Sequence, residues 1–189
     1  MVLLGILEFK NSFNELKSVK NLCIFSILLA MNLVVRFVGT IKITPYLYVG
    51  FSFLVYIIVG TMFGPVGSCL FGFLADILGF YIVGSDAPFH WGFTLNTVLG
   101  VLIYGLGLYK FKLNTFRVII VQIIHDVVIL LFLNTLWLAQ MYFNNNFYKA
   151  FVARLLKQCI TTPINCFLAS AVAACFLVVA KALKLRNSA

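Results

Sequence analysis

The stretch LCIFSILLAMNLVVRFV, Leu22–Val38, decides the fold class, because it carries one charge, Arg36, in an otherwise apolar run. About 20 apolar residues cross a bilayer as a helix, and a run this long with so few charges reads as a membrane span. The same pattern recurs outward from it at Tyr46–Met62, Val66–Val83, Trp91–Leu108, Phe116–Leu138 and Phe147–Leu183. The chain of 189 residues is 63% hydrophobic and 10% charged, with a mean hydropathy of +1.08. Such a composition belongs to polytopic membrane proteins, and six crossings with short loops leave no room for a soluble domain. The expected architecture is therefore an all-α membrane protein of six transmembrane helices, a single integral membrane domain over residues 1–189. Residues 1–20 form a cytoplasmic or interfacial segment, and the bundle occupies about 22–183.

Breakers and small residues divide the spans. Gly64-Pro65 separates the second from the third and can make a tight helical hairpin. Gly84–Pro88 and Asn144–Asn146 mark later turns, and the last segment is long enough to tilt, kink near Pro163 or leave the membrane. Gly64, Ser68 and Gly72, then Ala75 and Gly79, Asn96 and Gly100, and Ala169 and Ala173 repeat at four-residue spacing, which lets helix backbones approach closely. Leu3, Leu4, Leu7, Phe13 and Leu16 can form a short interfacial helix before the first span, and no credible signal peptide precedes it. The five cysteines lie in apolar segments without a C-x-x-C pair and read as small core-filling residues.

Orientation follows from the basic residues. Lys10, Lys17 and Lys20 precede span one, Lys110, Lys112 and Arg117 lie between spans four and five, and Lys181, Lys184 and Arg186 follow span six. Only Lys42 and Lys149 fall in the opposite loops. The positive-inside rule then puts both termini in the cytoplasm and accounts for the net charge of +9 without nucleic acid.

With that orientation, polar residues from five spans fall in the outer half of the membrane: Arg36, Asp76, Thr94 and Asn96, Asn134 and Trp137, Arg154 and Lys157. A charge at bilayer depth costs roughly 2.5–3.5 kcal/mol even on the lenient insertion scale, so these groups are expected to face a polar cavity or a partner. Asp76 and Asp126 are the carboxylates in the spans, so the surplus is positive and points to an anionic ligand. Arg154, Lys157 and Thr161 share a helix face, as do Asn134 and Trp137. Snorkelling to the headgroups is the competing reading for the basic residues, and interfacial anchoring for Trp137. Asp126 reads as a structural helix–helix bond, and its neighbour His125 is expected on another face, which gives no catalytic dyad. His90, in an outer loop, is either solvated or a ligand contact. No H-E-x-x-H, G-x-S-x-G or Walker motif is present, and the chain is not expected to be an enzyme.

Several strings resemble the substrate-binding (S) components of energy-coupling factor (ECF) vitamin transporters, especially the folate-specific branch. They are Phe63-Gly64-Pro65, Asp76-Ile77-Leu78-Gly79-Phe80, Gly92-Phe93-Thr94-Leu95, Asn134-Thr135-Leu136-Trp137-Leu138, and Arg154 with Lys157. The resemblance runs from span one to span six. It implies high-affinity capture of a vitamin, most simply folate, from outside a bacterial plasma membrane. It also implies docking on a transmembrane coupling subunit with two ATPases, which use the ATP; no cofactor is expected in this chain. The family's small-xxx-small motif on helix one is matched by Ser26 and Ala30, with serine for the first alanine. Pro88-Phe89-His90-Trp91 departs from the folate branch's simpler loop. Arg36, Arg154 and Lys157 suit folate's glutamate carboxylates, Asp76 its pterin N–H edge, and Trp137 ring stacking. The alternatives are an S component for another small vitamin or precursor, a self-contained secondary transporter, or a membrane enzyme.

Overall fold

The computed structural model describes residues 12–13, 16–39, 41–44, 47–84, 89–111, 113–142 and 147–182. The architecture is helical apart from one short ribbon. Helix α1 spans Val19–Val38, strands β1 Ile41–Thr44 and β2 Leu47–Val49 follow, and then α2 Phe53–Leu78, α3 Trp91–Leu108, α4 Thr115–His125, α5 Asn134–Tyr142 and α6 Phe147–Ala182. Two π-helical segments interrupt this series: Gly79–Val83 continues α2, and Asp126–Leu133 joins α4 to α5. Among the described residues five helical stretches are long and apolar enough to cross a membrane: Val19–Val38, Phe53–Val83, Trp91–Leu108, Thr115–Met141 and Lys157–Val178.

The longest of these, Phe53–Val83, is not one rod. Gly64 has φ 66° and ψ −164°, a conformation essentially reserved for glycine, and Pro65 follows it at a first helical position. The Tyr56 and Phe71 rings lie 6.3 Å apart, whereas fifteen residues of straight helix would separate them by about 22 Å. The chain therefore reverses at Gly64, as the breaker pair predicts. Ser12, fully buried, holds the reversal from outside. Its hydroxyl accepts from the backbone N–H of Val66 at 3.0 Å and of Gly67 at 3.3 Å, and it donates to the Phe63 carbonyl. It thus serves donors at the start of the second arm that no intrahelical carbonyl can reach.

The expected second span begins too early, at Tyr46. Helix starts only at Phe53, and β1 and β2 pair antiparallel with Ile41 opposite Val49 and Lys42 opposite Tyr48. The β-branched residues and Pro45 in KITPYLYV favour extended backbone, a local preference that an apolar average conceals. The last helix runs on through Pro163 over 36 residues. Of the proposed N-terminal apolar face, Leu3, Leu4 and Leu7 lie outside the described residues. Leu16 packs on the core, and Phe13 is exposed with the Lys17 ammonium 5.2 Å from its ring. Lys10, Lys112, Lys184, Arg186, Leu183 and the turns at 85–88 and 143–146 also lie outside the described residues.

Helix α3 is the centre of the bundle. The second arm of α2 packs antiparallel to it at backbone distance: a Cβ at Gly72 would lie 2.8 Å from the Val98 Cα, and one at Gly105 would lie 2.5 Å from the Ser68 hydroxyl. Phe25 of α1 sits edge-on against Phe63 and Phe71, with centroids 5.3 and 5.4 Å away. On the other side of α3, Tyr104, Leu108, Val118, Val121, Ala169 and Ala173 bring α4 and α6 together. The cysteines depart from the core-filling expectation: all five are free thiols, Cys23, Cys159 and Cys175 are exposed, and Cys69 and Cys166 are half-buried. In a bilayer an apolar thiol needs no protein cover, so apolar sequence does not distinguish lipid-facing from core positions.

The reversal at Gly64 supplies a test. A Cβ there would meet the Tyr109 ring at 2.8 Å, besides the strained backbone. Gly64→Ala is expected to lower stability by about 1–3 kcal/mol, read as a reduced thermal midpoint of the detergent-solubilised protein. An unchanged midpoint would show that the reversal does not need glycine.

Candidate functional site

Asp76 is the meeting point of three helices. Its Oδ2 accepts from Thr94 Oγ1 at 2.8 Å, and its Oδ1 accepts from Thr97 Oγ1 at 3.2 Å and from Arg36 Nη1 at 3.4 Å. The Arg36 guanidinium also donates to the Ala75 carbonyl at 3.4 Å and lies against Gly79, where any side chain would displace it. A carboxylate has about four lone-pair sites; Thr94 and Arg36 fill two, and the single Thr97 hydroxyl proton is shared with the Phe93 carbonyl 3.0 Å away. The structure thus pairs Arg36 with Asp76, whereas the sequence reading gives the two to opposite ends of a ligand. Thr97 escapes the sequence reading. Its spacing of three from Thr94 on α3 puts both hydroxyls on the face toward Asp76.

A second group forms around the start of α3. His90 caps the helix, its Nδ1 accepting from the Gly92 N–H at 3.0 Å, which leaves the ring proton of a neutral imidazole on Nε2. The His90 ring lies 5.4 Å from that of Trp137, and the indole also covers Gly92 so closely that a Cβ there would collide with it. The Trp137 Nε1–H donates to Asn96 Oδ1 at 3.1 Å. Asn96 is 5% exposed, and its Nδ2 has no hydrogen-bond partner among the described residues. Asn134, half-buried, stands where the π segment gives way to α5, one turn before Trp137.

On α6, Arg154 is only 6% exposed, and its Nη1 likewise lacks a partner among the described residues. Lys157, one turn further on, is half-buried and within electrostatic reach of both Arg154 and Asp126. The hydroxyl of Thr161, on the same face, donates to the Lys157 carbonyl at 3.1 Å. Arg154 is thus drawn into protein, and simple snorkelling does not describe it.

Asp126 is fully buried in a network that the sequence only partly anticipates. Oδ1 accepts from Gln122 Nε2 at 2.9 Å and lies 3.1 Å from His125 Nδ1, and Oδ2 accepts from Asn165 Nδ2 at 3.1 Å. Gln122 Oε1 in turn accepts from the Tyr104 hydroxyl at 2.7 Å. The Asn165 bond is the expected helix–helix tie. The His125 contact corrects the expectation that the two neighbours diverge: the π segment begins at Asp126 and widens the turn there, and the side chains close the gap.

These connections join some of the predicted residues without gathering all of them into one contacting cluster. Arg36, Asp76 and Thr94 are joined, and Asn96 and Trp137 are joined, on different faces of α3. Arg154 and Lys157 stand on α6 near the Asp126 network. Ser26 and Ala30 face outward on α1, away from buried Asn32, and the Ser26 hydroxyl donates to the Leu22 carbonyl at 3.0 Å. Among the described residues no group of three or more His, Cys, Asp or Glu side chains could hold a metal ion.

Comparison with known proteins gives the arrangement a family. The family model described as "ECF transporter, substrate-specific component" matches residues 20–182. The curated folate transporter FolT of Clostridium novyi (strain NT) is 37% identical over 122 residues, 65% of this chain and 70% of that protein. FolT of Leuconostoc mesenteroides subsp. mesenteroides is 30% identical over 127 residues, 65% of this chain and 68% of its own length. A crystal structure of FolT bound with folic acid superposes with a TM-score of 0.75 at 30% identity, covering 82% of this chain and 92% of that one. The chain belongs to the substrate-specific components of ECF transporters, which are transporter subunits and not enzymes. It is accordingly a multi-pass membrane protein.

The Asp126 network yields a stability prediction. Asp126→Leu removes the acceptor of Gln122 and Asn165 and leaves both donors buried, at about 1–3 kcal/mol each. A clear fall in thermal stability in detergent is expected. A neutral result would mean that the network does not help to hold α4 to α6.

Proposed function

As a substrate-specific component of an ECF transporter, this chain, we propose, captures folate from the outer side of a bacterial plasma membrane and delivers it to a coupling subunit driven by two separate ATPases. The observation that carries the folate reading is the buried Arg154 with its unpartnered Nη1. A cation held in an apolar bundle is costly unless paired, and a planar guanidinium fork matches a carboxylate. Lys157 on the next turn adds a second positive charge, which suits the two carboxylates of a folate glutamate tail. The similarity to FolT proteins of two organisms and to FolT bound with folic acid supports the same ligand.

In this reading the Gly64 reversal divides Phe53–Val83 into two crossings. The chain then has six spans, alternates in direction and returns both termini to the cytoplasm, in agreement with the basic residues. Arg36, Asp76, Thr94, Asn96, Asn134, Trp137, Arg154 and Lys157 then lie toward the outside, around the ligand. Asp76 has an acceptor position left for a pterin N–H. Ser26 and Ala30 form the docking face of α1, where small side chains let a coupling helix approach. ATP is used by the partner subunits, and this chain needs no cofactor of its own.

Isothermal titration with folic acid, without ATP, is the direct test and should give saturable binding. Arg154→Ala and Lys157→Ala should each weaken it by about 1.5–3 kcal/mol, roughly ten- to a hundredfold. Binding of a neutral vitamin with no response to folates would overturn the ligand, and full affinity in both variants would return the two residues to the membrane interface.

Docking is separable from binding. Ser26→Leu with Ala30→Leu should leave folic acid affinity within about twofold while abolishing co-purification with the coupling subunit and ATP-driven uptake. Normal assembly of the double variant would remove this face of α1 from the docking model.

A further inference from the structure

The donor–acceptor polarity at Asn96 is fixed by its neighbours. An indole N–H can only donate, so the Asn96 atom 3.1 Å from Trp137 Nε1 must be the carbonyl Oδ1. The amide NH2 therefore points the other way. It is buried, since Asn96 is 5% exposed, and it has no partner among the described residues. A buried donor without an acceptor is disfavoured unless something else supplies one. The indole is itself held: the backbone of Gly92 lies directly beneath it, and the His90 ring, fixed by its bond from the Gly92 N–H, stands 5.4 Å away.

We propose that Trp137 is a specificity-determining residue because its indole N–H orients Asn96 to present an N–H donor to the ligand. The site would then select a planar ring bearing a carbonyl oxygen at that position. This deepens the folate reading and rests on it: in a pterin the acceptor is the 4-oxo oxygen. An amino group in its place would set donor against donor, and a site built to hydrogen-bond one group discriminates strongly against an analogue that cannot. The role is distinct from ring stacking, which a phenyl side chain would retain. Gly92 and His90 act through Trp137 and are positioning residues.

The experiment compares folic acid with its 4-amino analogue, titrated into the full-length protein and into Trp137→Phe and Asn96→Leu variants. The parent should prefer the 4-oxo ligand by at least about tenfold. Trp137→Phe keeps the ring but lets the Asn96 amide rotate, and the preference should shrink toward unity. Asn96→Leu removes the donor and should weaken folic acid while leaving the 4-amino ligand nearly unchanged. Binding of both ligands by the parent without that preference, or a preference intact in both variants, overturns the proposal and leaves the folate reading standing. Failure of the parent to bind either pterin overturns the folate reading and this proposal together. A ligand-free measurement guards against a variant that misfolds. With Trp91→Phe leaving a single tryptophan, the indole N–H proton resonance of Trp137 should move upfield in the His90→Phe variant, which loosens the indole's seat, and in Asn96→Leu. An unmoved resonance in Asn96→Leu would show that the bond on which the proposal stands does not exist.

Discussion

A carboxylate buried among apolar helices has to find its hydrogen bonds on other helices, and the bundle is organised around two that do. Hydrocarbon offers no water to satisfy a polar group, so each unpaired donor or acceptor is costly there. Asp76 is served by Arg36 of α1 and by Thr94 and Thr97 of α3. Asp126 is served by Gln122 and His125 beside it and by Asn165 of α6, and Gln122 links onward to Tyr104 of α3. Apolar contacts alone give weak preference for one helix neighbour over another when lipid is equally apolar. The two carboxylates give that preference, and α3 meets the first directly and the second through Tyr104 and Gln122.

Small residues then allow what the carboxylates require. Thr94 can reach Asp76 because the second arm of α2 lies against α3 at backbone contact around Gly72 and Gly105. Trp137 can reach Asn96 because Gly92 has no side chain under the indole. The π segments contribute in the same sense. Gly79–Val83 follows Asp76 and seats the Arg36 guanidinium, and Asp126–Leu133 follows the second carboxylate and ends at Asn134. A π turn changes the angle between the residues before and after it. It therefore sets which face Trp137 presents to α3 without altering the buried groups below.

Much of this was legible in the sequence where one strong physical signal acts alone. Trp91–Leu108 is read with its observed bounds, because an outer-loop aromatic run and a basic loop delimit it. Gly64-Pro65 announces the reversal, whereas Arg36 and Asp76, read as contacts for two ends of a ligand, meet each other. Where two signals compete, the reading fails. Leu47–Val49 leads into an apolar span but is locally extended, so Tyr46 is a poor helix start. His125 and Asp126 diverge on an α-helix and meet at a π turn. Thr97 and Asn165 are inconspicuous as single polar residues and gain a role only from the helix opposite. Trp137 reads as a stacking platform, and its indole N–H matters because of where Asn96 lies, which no spacing along the chain reveals.

The charges divide by what they meet. Arg36 is matched within the protein and binds α1 to the Asp76 hub, so the helix that carries the outward Ser26 and Ala30 is tied by its far end to the same carboxylate as α3. Its exposed face also bears Leu22, Ile27, Val34 and Phe37, but exposure of apolar side chains is the ordinary condition of a lipid-facing helix. The distinguishing feature is a lowered strip, with the Ser26 hydroxyl turned back onto the Leu22 carbonyl so that nothing polar interrupts it. Arg154 differs from Arg36 in having a nitrogen that no group among the described residues meets, although both are arginines near helix ends. In the proposed transporter, a carboxylate arriving at Arg154 satisfies a group on α6, while the Arg36–Asp76 pair already holds α1 in register. Ligand capture and subunit docking can then rest on different arginines, and a change at one need not undo the other.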